Sequence, residues 1–138
     1  MKSLKFHHHG LAVRNPTPAQ EWLVTLGYDF TEIVYDPLQF VYVQLAKRED
    51  TPTVELIWSD KENSPLKHWL QSSPTMIYHT CYEVDNIAET VGYLRSQGKA
   101  IPIGRPQPAV LFEGRFIQFV HLKGFGLIEL VELLPRKK

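Results

Sequence analysis

Four side chains of metal-ligating type stand in strongly apolar stretches of this chain: His8, Glu55, His79 and Glu129. Glu55 sits in Val54-Glu55-Leu56-Ile57 and Glu129 in Ile128-Glu129-Leu130-Val131. A carboxylate in a strand covered on both faces is costly unless it is paired or bound to metal. Taken alone, either Glu could be an exposed edge residue and either His a core or surface residue. Two Glu and two His at matching places of a repeat need a shared explanation, and coordination supplies it. Two neutral imidazoles and two carboxylates suit a divalent ion such as Zn, Co, Ni, Mn or Fe and leave the site neutral overall. With octahedral coordination, four protein ligands leave two positions for water or substrate oxygens. Such an open site favours catalysis over a purely structural role.

The elements that must position these residues are visible as an internal repeat. His8 and His79, Val13 and Val84, Asn15 and Asn86, Leu23 and Leu94, and Gly27 and Gly98 are each 71 positions apart. In both halves a strand-like run opens the unit, then a polar stretch, then an amphipathic helix. The first helix is expected from about Pro18 to Leu26, with Trp22, Leu23 and Leu26 on one side, and Pro16 and Pro18 fitting its entrance. The second is expected from about Ile87 to Gln97, with Ile87, Val91 and Leu94 on one face. Gly27 and Gly98 sit where a left-handed residue would stop each helix. Three strands then follow: Phe30 to Tyr35, Phe40 to Ala46 and Thr53 to Trp58 in the first half, and Ala100 to Ile103, Arg115 to Leu122 and Leu127 to Leu133 in the second. Asp36-Pro37 and Lys123-Gly124 mark turns. The fold class is therefore α+β, a single domain over residues 1–138. Its two tandem βαβββ modules run from about 5 to 58 and about 76 to 134. A connector over about 59–75 carries a short helix near Leu66, Trp69 and Leu70. Glu55 and Glu129 are 74 positions apart, so the second half holds a small insertion, placed in the proline-rich stretch Pro102 to Pro108.

Composition excludes several partners. Fifteen basic and fifteen acidic residues give no cationic face for nucleic acid or an anionic membrane. The one basic cluster, Arg136 to Lys138, reads as a solvated tail. The single cysteine, Cys81, allows no internal disulfide. Residues Met1 to Phe6 lack the apolar core of a signal peptide, and no apolar run approaches a membrane span. A cytoplasmic location is the expectation by default.

The runs His8-x-Gly10-Leu11-Ala12-Val13, Val54-Glu55-Leu56-Ile57, His79-x-Cys81-Tyr82-Glu83-Val84 and Leu127-Ile128-Glu129-Leu130-Val131-Glu132 resemble the vicinal oxygen chelate superfamily. That superfamily includes glyoxalase I, methylmalonyl-CoA epimerase, extradiol dioxygenases and bleomycin-resistance proteins. The resemblance covers nearly the whole chain. It implies a curved mixed sheet cupped around a metal, with His8, His79 and Glu129 as ligands and Glu55 at a fourth position that is Gln or Glu in the family. Within the superfamily, Tyr78-His79-Thr80-Cys81-Tyr82-Glu83-Val84-Asp85-Asn86-Ile87 and Phe119-Val120-His121-Leu122-Lys123 look most like the epimerase. The resemblance thus implies a metal-dependent isomerase that takes the proton alpha to the carbonyl of an acyl-CoA or similar thioester. Glu129 or Glu55 is the candidate base. The alternatives are a glyoxalase I-like lyase acting on a hemithioacetal and a non-catalytic, drug-sequestering binding protein. One departure stands out: the epimerase is thought to use a further carboxylate on the third strand of its first module, and Phe40 to Ala46 holds no acid. Tyr42 or Gln44 occupies that region, and Glu113 is the candidate substitute. Family members are often dimers, so the resemblance allows a homodimer, with Trp22 or Trp69 as an interface anchor.

The remaining polar and aromatic residues take plainer readings. Tyr42, Gln44 and Gln118 line the pocket or simply pack, and His121 is structural or touches substrate at the rim. His7 and His9 face away from His8. Cys81 is a small buried residue. Glu132 faces away from Glu129 and is expected in solvent. Trp22 and Trp69 are core or interface anchors.

Overall fold

Asparagine begins both long helices, and glycine ends both. The computed structural model describes residues 4–133, so the Arg136 to Lys138 tail lies outside the described residues. Strand β1 (Lys5–Val13) leads into helix α1 (Pro16–Thr25), where the Asn15 side chain accepts the Thr17 N–H. Strand β6 (Thr75–Val84) leads into α3 (Ile87–Ser96), where the Asn86 side chain accepts the Glu89 N–H. Each cap satisfies a backbone donor that the first turn leaves open. Gly27 and Gly98 follow the helices at the same φ of +91°, the left-handed stop expected of them. Helix α1 starts two residues earlier than expected, because Pro16 needs no hydrogen-bonded N–H in the first turn.

The chain divides into two compact units, one over His8–Tyr78 and one that runs from His79 and includes the residues before His8. Both are α+β, with parallel as well as antiparallel strand pairs; the second has β-α-β-β-β order and the first has one strand more, β-α-β-β-β-β. In the first, β2 (Asp29–Phe30), β4 (Val41–Arg48), β5 (Thr51–Trp58) and β1 lie in that order, with β3 (Val34–Asp36) also on β4. Here β1 and β5 are parallel and the other pairs antiparallel. In the second the order is β6, β9 (Gly126–Glu132), β8 (Phe116–Leu122), β7 (Ala100–Pro108), with β6 and β9 parallel. The connector forms the short helix α2 (Pro65–Trp69), capped by Ser64 and anchored by buried Leu66 and Leu70.

The helices cover one face of their own strands. Leu23 of α1 packs on Ala46 and Val54, and α3 packs through Ile87, Val91 and Leu94 on Val120, Ile128 and Leu130. Burying such side chains stabilises the fold by roughly 1.5–3 kcal/mol each.

Four elements depart from expectation. The strand drawn from Phe30 to Tyr35 is two strands: Phe30 pairs with Ala46 and Val34 with Val43, which leaves one residue too many on the first strand. Thr31 bridges the gap, its Oγ1 accepting the Leu45 N–H at 3.0 Å. Strand β7 extends to Pro108 through an irregularity between Ile103 and Gln107, inside the stretch assigned to the insertion. Trp22 is 67% exposed and Leu26 56%, so Leu23 alone anchors α1. Trp69 is also exposed. No helix among the described residues is long and apolar enough to cross a membrane.

Candidate metal centre

Each unit carries one His–Glu pair, and the two pairs are built alike. Gly10 of β1 stands beside Glu55 of β5, and His8 beside Thr53. His8 is therefore one alternation step from Glu55 on the same face. Its Nε2 lies 3.5 Å from Glu55 Oε2. In the other unit Cys81 of β6 stands beside Glu129 of β9, and His79 Nε2 lies 3.4 Å from Glu129 Oε1. The neighbour of each carboxylate is small, Gly10 or Cys81, which leaves the Glu room to lean toward its His. Cys81 is fully buried, as expected of a small packing residue.

All four side chains are buried. His8 is 0% exposed, Glu55 4%, His79 2% and Glu129 2%. The N···O separations exceed the roughly 2.7–3.2 Å of an N–H···O hydrogen bond. They suit neighbouring donors each held at about 2.0–2.2 Å from one ion. The four residues are thus a buried candidate donor set for a divalent metal, and imidazole with carboxylate is the chemistry such ions take.

Supporting contacts surround the second pair. The Phe119 ring meets the His79 ring edge-on, 5.3 Å between centroids, and Phe119 pairs with Glu129 across β8 and β9. Further along the same face, Arg115 donates to Glu83 at 2.8 Å and to the Glu132 carbonyl at 2.6 Å. Sequence reading passed over Phe119 and Arg115. Two-residue alternation back from Glu129's neighbour would have placed both on that face. His7 and His9, set opposite His8 by alternation, are half-buried, and His7 meets the Phe112 ring edge-on at 5.3 Å.

The other residues expected at a pocket scatter. Gln44 pairs with Leu56 and Tyr42 with Trp58, so both point away from the face that carries Glu55. Gln44 lies under α1, accepting from Gln20 at 2.8 Å and donating to the Thr31 carbonyl at 3.0 Å. Gln118 pairs with Leu130, faces away from Glu129, and donates to the Gly104 carbonyl at 2.8 Å. Glu113 is exposed at a left-handed turn residue, φ +57°, between a 3-10 turn and β8. His121 pairs with Leu127 and does share Glu129's face. Glu132 faces away from Glu129 as expected but is not left to solvent: its Oε2 accepts the Ile87 N–H at 2.9 Å, at the start of α3.

Comparison with known proteins agrees with this architecture. Residues 7–119 match the model of the Glyoxalase/Bleomycin resistance protein/Dioxygenase superfamily. The chain is 28% identical over 133 residues to the ethylmalonyl-CoA/methylmalonyl-CoA epimerase of Cereibacter sphaeroides, covering 94% of this chain and 98% of that protein. Among solved structures, methylmalonyl-CoA epimerase from Mycobacterium tuberculosis superposes with a TM-score of 0.82 at 24% identity, over 98% of this chain and 94% of that one. A variant of Streptomyces coelicolor methylmalonyl-CoA epimerase in complex with 2-nitronate-propionyl-CoA gives 0.81 at 21% identity, over 96% of this chain and 100% of that one. At these identities the structural matches establish the fold.

Proposed function

Because the chain belongs to the glyoxalase/bleomycin resistance protein/dioxygenase superfamily, we propose that it is a metal-dependent acyl-CoA epimerase of the methylmalonyl-CoA type. His8, Glu55, His79 and Glu129 serve as ligands of one divalent ion. The observation that carries the reading is the duplicated His–Glu pair, buried in each unit with the same register and nearly the same spacing. The relative at 28% identity, an ethylmalonyl-CoA/methylmalonyl-CoA epimerase matched over nearly its full length, supports the substrate class.

A bound divalent ion would act as a Lewis acid toward the thioester carbonyl and favour the enolate. The protein's part is to hold that chemistry in place and move the proton. In this reading Glu129 or Glu55 accepts the proton alpha to the carbonyl. Phe119 fixes the plane of the His79 ring. The reading includes a homodimer in the cytoplasm, with exposed Trp22 available to a second copy; light scattering on the eluting protein reports the dimer.

The test is solvent exchange. Metal-loaded protein in D2O is expected to wash deuterium into the alpha position of methylmalonyl-CoA, read by loss of the proton signal. Absence of exchange together with turnover of methylglyoxal and glutathione would replace this reading with a lyase. Absence of both activities, with tight drug binding and no metal in untagged protein, would replace it with sequestration.

A further inference from the structure

Epimerisation needs a proton taken from one side of a carbon and a proton delivered to the other. The ligand carboxylates supply one proton-transfer group. Among the described residues, few acid–base side chains on the strand faces that carry the His–Glu pairs could supply a second. On β4 the positions sharing Glu55's face are Val41, Val43 and Leu45, all apolar. Lys47 and its β2 partner Asp29 lie at the irregularity between Ala46 and Arg48, where alternation no longer assigns a face. Asp36, paired with Val41 on β3, is spent on a turn: it accepts the Leu38 N–H, the Gln39 N–H and the Gln39 side chain. On the second unit's face Glu83 is held by Arg115, and Cys81 is fully buried.

His121 alone fits. It is exposed, and it pairs with Leu127, two residues along β8 from the Phe119–Glu129 pair. Two residues of strand set it roughly 7 Å along the same face from Glu129's row. That interval accommodates a reacting carbon and its carbonyl. Imidazole is also the side-chain type that both gives and takes a proton near neutral pH.

We propose that His121 is a catalytic residue that delivers the second proton in epimerisation, an inference that rests on the function proposed above. As the alpha C–H bond breaks, a ligand carboxylate gains the proton and the electron pair becomes the enolate. As the new C–H bond forms on the opposite side, the His121 imidazolium loses its N–H proton and becomes neutral. The carboxylate then releases its proton to solvent and the imidazole regains one from solvent, which its exposure permits.

The test starts from a single epimer of methylmalonyl-CoA in D2O and follows exchange and inversion separately. Wild type is expected to do both in parallel. In His121→Gln, inversion is expected to fall by about 100-fold or more while exchange stays within about tenfold, so that labelled product keeps its configuration. Added imidazole is expected to restore inversion in part in His121→Ala. Metal content and thermal midpoint of both variants are expected to match wild type. Inversion at the wild-type rate in His121→Gln, an equal loss of exchange and inversion, or loss of metal would each overturn the role of His121 while leaving the epimerase reading standing. Wild-type protein that neither exchanges nor inverts would overturn both.

Discussion

Glu129 and Glu55 are where a single side chain carries the most consequence. Each is a carboxylate more than nine-tenths buried beside a histidine, with apolar residues directly before and after it in its strand. Removing Glu129 leaves three donors and takes away one of the two negative charges that would balance a divalent ion. Glu129→Ala is therefore expected to lose metal by more than about tenfold, measured by elemental analysis of untagged protein; second-neighbour changes already cost about 10–100-fold in such sites. Glu55→Gln keeps an oxygen donor and removes a charge, so weakened but measurable metal binding is expected. The space beside the carboxylate matters as much. Cys81 pairs with Glu129 and is fully buried. Cys81→Ala is expected to keep metal content within about twofold. Cys81→Leu adds atoms where none fit, at about 1–3 kcal/mol in packing, and displaces the Glu129 side chain. Equal metal in both variants would show that the small residue does not set the carboxylate's position.

At the scale of the elements, Glu132 shows how a strand can control a helix. Its carboxylate receives the Ile87 N–H at the N-terminus of α3, where the helix dipole also favours negative charge. Glu132→Ala is expected to destabilise the protein by about 1 kcal/mol, roughly 3 °C in thermal midpoint, with metal content unchanged. An unchanged midpoint would reduce the contact to an incidental one. The left-handed Gly98 was legible in the sequence, because helix stops are local and the 71-residue repeat displays the glycine twice; the Asn86 cap was not read, since Asn86 entered only as a repeat partner of Asn15. The four candidate ligands were legible for the same reason: a buried acid is conspicuous in an apolar strand. The Glu132 contact was not, since its partner lies 45 residues away. The split after Phe30 was hidden because Thr31 fills a strand position chemically while shifting the register. That register, which turns Tyr42 and Gln44 away from Glu55's face, depends on which residues of β4 meet β5, and apolar alternation is blurred where Val41 through Ala46 is almost continuously buried.

For the whole molecule, the decisive question is how many ions one chain holds. Two His–Glu pairs could in principle hold two ions, one per unit, each with only two protein donors. A divalent ion at such a half-site would bind weakly, because structural and catalytic sites of this kind use three or four protein ligands. The proposed single ion takes a pair from each unit and so links residues 121 positions apart in sequence, His8 and Glu129. The stoichiometry is therefore expected to be one ion per chain. The double variant His8→Ala/Glu55→Ala is expected to lose it altogether, although His79 and Glu129 remain. Retention of about half the metal by that variant would point to two independent half-sites instead. Thermal unfolding supplies a second readout of the same coupling. An ion present at about 100 times its dissociation constant stabilises the native state by roughly 2.7 kcal/mol, which for a chain of this length is about 8–10 °C. Chelation is expected to lower the midpoint by that order in wild type and to leave the double variant unmoved. If the double variant responded to chelator as strongly as wild type, the second pair would be holding an ion without the first, and the shared centre would have to be abandoned.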